Sequence, residues 1–134
     1  MACFGQRCLS MPADIRDTAG IGLVVEAGIE AFGQIDICVA NAGVTGYGKF
    51  HELDDDTWND MIDVDLTGTF KTIRAVLPHM LERRYGRIIA TSSMAGRMGN
   101  ANLAHYVAAK WGVIGMVKSL AMEVANKGIT VNAI

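Results

Sequence analysis

Apolar residues recur along this chain at two spacings, and the alternation between them sets out the elements. From Thr18 to Phe32 the positions Ile21, Val24, Val25, Ile29 and Phe32 repeat at the interval of a helix face, and Gly33 stands where a helix stop belongs. Internal glycines (Gly20, Gly22, Gly28) weaken that helix. Ile35 to Ala40 is a nearly continuous apolar run, the pattern of a parallel strand buried on both faces. After a loop over Val44–Leu53, the acids Asp54, Asp55 and Asp56 suit the positive end of a helix dipole. They open a long helix through Trp58, Met61, Ile62, Leu66, Phe70, Ile73, Val76 and Leu77 to Arg84, with Pro78 as a point for a kink. Gly86 breaks it, and Ile88–Ala90 makes the next buried strand. A further helix over Leu103–Asn126 carries Val113, Ile114, Val117, Leu120 and Met122, and Gly128 introduces a last strand, Ile129–Ile134. At the front, Cys8–Ile15 reads as a short strand; Pro12 cannot donate to a ladder, which predicts a sheet edge. Strands alternating with helices of this length predict an α/β fold, with a parallel sheet built from right-handed crossovers.

Composition narrows the function classes. The chain has 134 residues, 51% hydrophobic and 19% charged with a net charge of −2, as expected of one globular domain over residues 1–134. The balance is slightly acidic, and the one basic cluster, Arg83, Arg84 and Arg87, reads as a solvated helix end; nucleic acid is not expected as a partner. No apolar run approaches the ~20 residues that span a bilayer, so no membrane association is expected. The first residues lack the apolar region of a signal peptide. Cys3, Cys8 and Cys38 show no metal-ligand spacing, and Cys38 reads as a small core residue; no metal is expected, and a reducing cytoplasm is the expected setting.

Candidate chemistry gathers between Ile88 and Lys110: a strand, then the hydroxyls of Ser92 and Ser93, then a helix on which Tyr106 and Lys110, four residues apart, share one face. A fixed ammonium beside a phenol favours its ionised form. Upstream, the strand ending at Ala40 opens directly into Asn41-Ala42-Gly43, at the carboxyl end where open α/β sheets bind ligands. Taken singly, each residue has a plainer reading: Ser93 as a helix cap, Tyr106 as packing, Lys110 as a solvated charge, Asn-Ala-Gly as a turn.

Together, at these spacings, they resemble the short-chain dehydrogenase/reductase family, and the resemblance covers about Asp14 to Ile134. It implies a partial Rossmann-like doubly wound sheet in three α/β/α layers, NAD or NADP as cofactor, and reversible hydride transfer between a secondary alcohol and a ketone or aldehyde. Tyr106 is then the general base or acid. Lys110 assists it and holds the nicotinamide ribose. Ser93, favoured over Ser92 by its distance from Tyr106, orients the substrate oxygen. Asn41, Ala42 and Gly43 line the cofactor, and Asp14 with Ile15 falls where the family contacts adenine. Asp14 or Asp17 as a helix cap is an even competitor for that last assignment. His105 and Ala108-Ala109-Lys110-Trp111-Gly112 are similar to members acting on terpenoid alcohols such as carveol.

The chain also departs from the family. Its glycine-rich pyrophosphate turn, first two strands and C-terminal part have no counterpart here, so the sequence reads as a fragment, expected to leave one sheet face poorly covered and prone to association. Asp65 stands where the family has Asn in the proton path; beside Lys110 it is expected to form an ion pair and weaken the pull of Lys110 on the Tyr106 proton. Two rival functions remain. One is an inactive remnant or oligomerisation module, since the family pairs subunits through helices matching 54–84 and 103–126. The other, ranked last, is a different nucleotide-binding domain such as a methyltransferase.

Overall fold

The computed structural model describes residues 7–134. Three strands, β1 (Ile37–Ala40), β2 (Gly86–Ala90) and β3 (Ile129–Ala133), form one parallel sheet in the order β1-β2-β3. Cys38 pairs with Ile88 and Ile88 with Val131, so alternate residues of all three strands share a face. On that face Ala40, Ile88, Ala90, Ile129 and Val131 are buried under Ile73, Val76 and Met80 of α3 (Thr69–Arg83) and Val113 and Val117 of α4 (Ala104–Glu123). Helix α1 (Thr18–Phe32) sends Val25 against the same core and packs on α3. Asp17 caps α1 by accepting the Ala19 N–H at 2.9 Å, and Gly33, at φ 85°, ends it in the left-handed conformation that glycine adopts without strain.

The opposite face is open. Ile37 and Val39 of β1 are 60% and 55% exposed, and Thr130 and Asn132, on the same face of β3, are exposed too. The apolar run at Ile35–Ala40 therefore does not mark a strand buried on both faces. Among the described residues the sheet carries one helical layer of the expected two, and a strand built to be covered twice is covered once. The uncovered face was expected, and the sheet of strands starting near Ile35, Ile88 and Ile129 matches.

Two other expectations change. Cys8–Ile15 has no strand structure, because no strand of the sheet lies beside it to take its backbone bonds. The long helix from Asp54 to Arg84 is interrupted: α2 (Asp55–Ile62) passes into a π-helical segment, Asp63–Gly68, before α3 resumes and runs through Pro78 to Arg83. Asp54 caps α2, accepting the Thr57 N–H at 2.7 Å, and hydrogen bonding from Thr57 holds its carboxyl below the usual carboxylate range. The arginine cluster is only partly a solvated helix end. Arg83 pairs with Asp36 at 2.7 Å, Arg84 adopts the left-handed cap and donates to the Asn126 carbonyl, and Arg87 donates to the Gly86 and Gly128 carbonyls. Cys38 is half-buried, as read, and burial pushes its thiol up to about 11; Cys3 lies outside the described residues.

Candidate active site

The site forms where the carboxyl ends of β1 and β2 meet the amino-terminal half of α4. A cavity of about 250 Å³ opens there, walled by Asn41, Gly43 and Val44 after β1, Thr91 and Ser92 after β2, Asp65 of the π segment, and Tyr106 and Lys110 of α4. The helical spacing brings Tyr106 and Lys110 into one pocket, with Lys110 Nζ 5.5 Å from the centre of the Tyr106 ring. Tyr106 is half-buried, while Lys110 is buried.

Buried ammonium needs partners, and two are present. Lys110 Nζ donates to the Thr91 carbonyl at 3.1 Å and stands 3.0 Å from Asp65 Oδ2. The second contact is ionic rather than a well-aligned hydrogen bond, since by alignment Asp65 Oδ2 is left without a donor. Asp65 is 0% exposed, and its other oxygen, Oδ1, accepts the Val44 N–H at 2.7 Å. The π segment holds this carboxylate in place: the Thr69 hydroxyl donates to the Asp65 carbonyl at 2.8 Å, and the Thr72 hydroxyl to that of Gly68 at 2.9 Å.

Of the two serines, Ser93 is half-buried and its Oγ accepts the Ala95 N–H at 3.1 Å as the cap of a short 3-10 turn, Met94–Gly96. Its own proton is not used by that bond. Ser92 is buried and spends its proton on the Lys110 carbonyl at 3.1 Å. Ser92 borders the Tyr106 cavity, whereas Ser93 borders an adjoining one of about 360 Å³ with Ser92, Met94 and Arg97. The capping role foreseen for Ser93 is therefore real, and it leaves the hydroxyl a donor.

On its other side the Asn41-Ala42-Gly43 turn borders a wide, open cavity of about 680 Å³, reached also by Asp14, Ile15 and Arg16. Asp14 does not cap α1; Asp17 does. The Arg16 guanidinium and backbone N–H hydrogen-bond Asp14 and hold its carboxyl down at about 2, and Arg16 reaches on to Asp60 at 2.7 Å. Ile15 packs against Gly68, where a Cβ would come 2.3 Å from Ile15 Cγ1. Gly43 and Val44 border both cavities, so the two lie next to each other along the turn.

Thr91 escaped the sequence reading, although it follows a strand end as Asn41 does; its hydroxyl donates to Asn41 Oδ1 at 3.0 Å and its carbonyl takes Lys110. Val44 and Thr45 escaped it too, lying just past the Asn-Ala-Gly signal. His105 faces inward: it is 1% exposed, and its Nε2 lies near Gly46.

The family model for short chain dehydrogenases matches residues 1–134. The chain belongs to the short-chain dehydrogenase/reductase family. A 3-oxoacyl-(acyl-carrier-protein) reductase of Salmonella typhimurium is 46% identical over 121 residues, which are 90% of this chain and 50% of that protein. The (−)-trans-carveol dehydrogenase of Rhodococcus erythropolis is 39% identical over 132 residues, 97% of this chain and 48% of the relative. Among solved structures, carveol dehydrogenase from Mycobacterium avium in complex with NAD superposes with a TM-score of 0.87 at 44% identity, over 90% of this chain and 44% of that one. This short-chain dehydrogenase/reductase chain thus spans about half the length of the curated relatives it matches. Its sheet is a partial Rossmann-like one.

Proposed function

We propose that this chain carries the catalytic centre of an NAD(P)-dependent oxidoreductase interconverting a secondary alcohol and a ketone or aldehyde. The observation that carries the reading is the cavity in which Tyr106 and the buried Lys110 meet the Asn41–Val44 turn. The two adjoining cavities along that turn suit a dinucleotide: Asn41, Ala42 and Gly43 are exposed, and a polar pair, Asp14 with Arg16, stands at the far end. Asn41, Ala42, Gly43, Tyr106 and Lys110 would hold the nicotinamide side, and Asp14 with Ile15 the adenine. Bound there, the nicotinamide supplies the acceptor or donor of hydride.

The residues' own tasks follow from their chemistry. Tyr106 takes the proton of the alcohol oxygen as the carbonyl forms, and returns it in the reverse direction. Lys110 is fixed beside the phenol by the Thr91 carbonyl and Asp65. Ser93 donates its unused proton to the substrate oxygen and so stabilises charge developing there. The substrate class is a small alcohol or carbonyl compound, and likeness to the carveol dehydrogenases makes terpenoid alcohols the first to test.

A second reading, a helix-paired module without turnover, draws on the groove between α3 and α4. There Phe70, Leu77, Met116 and Leu120 border a cavity of about 300 Å³. Tyr106→Phe discriminates. NADH and NADPH fluorescence titration should show saturable binding in both proteins, with turnover of secondary alcohols lost at least ~100-fold in the variant. Equal turnover in both, or no binding in either, would overturn the proposal; sedimentation then tests self-pairing.

A further inference from the structure

We infer that Asp65 is a positioning residue that cancels the charge of Lys110 beside Tyr106 while tying Lys110 to the Asn41–Val44 turn. The inference rests on Tyr106 being the proton carrier, but its physical content does not depend on turnover. One carboxylate serves two partners: Oδ1 accepts the Val44 N–H at 2.7 Å and Oδ2 lies 3.0 Å from Lys110 Nζ. Both charges are withdrawn from water, Asp65 at 0% and Lys110 at 4% exposure, so their fields are little screened. An ammonium alone would pull strongly on a nearby phenol's proton. Paired with a buried carboxylate it presents a dipole instead, and a dipole's field falls off faster than that of a charge.

Among the described residues, no other ionisable side chain lines the cavity. The turn after β1 and the end of β2 contribute only neutral side chains, and Asp65, Tyr106 and Lys110 are its titratable residues. His105, next in sequence to Tyr106, points away toward Gly46. Space is tight as well: a Cβ on Gly43 would lie 3.2 and 3.3 Å from the two Asp65 oxygens. The turn and the carboxylate are therefore packed as a unit, and a change in one is felt by Lys110 through the other.

Asp65→Asn isolates the charge, because an amide oxygen still accepts from Val44 while the negative charge is gone. The readout is tyrosinate absorbance against pH, taken as the difference between each protein and its Tyr106→Phe counterpart, which removes Tyr47 and Tyr85 from the signal. Removing the carboxylate 3.0 Å from Lys110 Nζ should bring the phenolate of Tyr106 in at lower pH in Asp65→Asn than in the parent. A merely structural role for Asp65 would alter melting temperature and leave the Asp65→Asn curve on that of the parent; coincident curves, or a shift upward, overturn the inference. If Asp65→Asn does not fold, Asp65→Ser takes its place in the same comparison: movement to lower pH supports the pair, and no movement overturns it. Loss of turnover in the parent would count against the proposed function and leave this titration readable.

Discussion

At the scale of the residue, identity and environment divide the work of prediction. Tyr106 and Lys110 were legible because a four-residue spacing on a helix needs no tertiary information to place two side chains on one face. Asp65 was legible as an oddity beside Lys110, and the ion pair is present; that the same carboxylate also holds Val44 depends on a loop whose path the sequence does not encode locally. Asp14 had two readings in the sequence, a ligand contact or, with Asp17, a helix cap, because both acids precede the helical pattern; the cap is Asp17, and the Arg16 side chain engages Asp14. Cys38 shows burial acting on chemistry. Its thiol, pushed up to about 11 by desolvation, remains protonated where a free cysteine begins to ionise. Its neutral form is favoured by folding, so the associated stability is present at neutral pH and is lost as pH rises through about 11. At pH 8 iodoacetamide should alkylate exposed Cys8 at least ~10-fold faster than Cys38, measured by peptide mass spectrometry; equal rates would mean β1 opens freely.

At the scale of the element, helices α1, α3 and α4 and all three strands follow the apolar periodicity to within a few residues. What periodicity missed is the π segment, since a wide turn changes the phase of a helical pattern without removing it. Glycines mark where elements touch. Gly128, at φ 74°, starts the approach to β3, and a Cβ there would lie 2.1 Å from the Arg84 carbonyl oxygen, backbone that cannot step aside. Gly128→Ala should therefore lower stability by about 2 kcal/mol or more, read by urea denaturation. Gly22 lies within α1 with nothing within 4 Å of its added Cβ, and Gly22→Ala should raise stability by roughly 0.5–1 kcal/mol in the same assay. The opposite signs separate a glycine that contact requires from one that the helix merely tolerates.

At the scale of the whole molecule, the sheet's open face dominates behaviour. The run Ile35–Ala40 has the composition of a strand covered on both sides, and its exposure here follows from what lies around it rather than from its own residues. Exposed Ile37 and Val39 sit on β1, an edge strand whose outer backbone groups take no sheet partner. Ile37→Lys with Val39→Thr should reduce concentration-dependent association in light scattering and leave the thermal midpoint within ~2 °C; an unchanged scattering profile would locate the sticky surface elsewhere. The π segment has a meaning at this scale as well. A π turn takes one more residue than an α turn, so Asp63–Gly68 works as a built-in reading-frame offset between α2 and α3. Excising one residue from it would give a more regular helix, yet turn everything beyond by about 100°. Ile73, Val76 and Met80 would then face away from the sheet, or Asp65 away from Lys110. Local regularity and a complete site are alternatives in this chain, and its helix is irregular at the point where the site needs it to be.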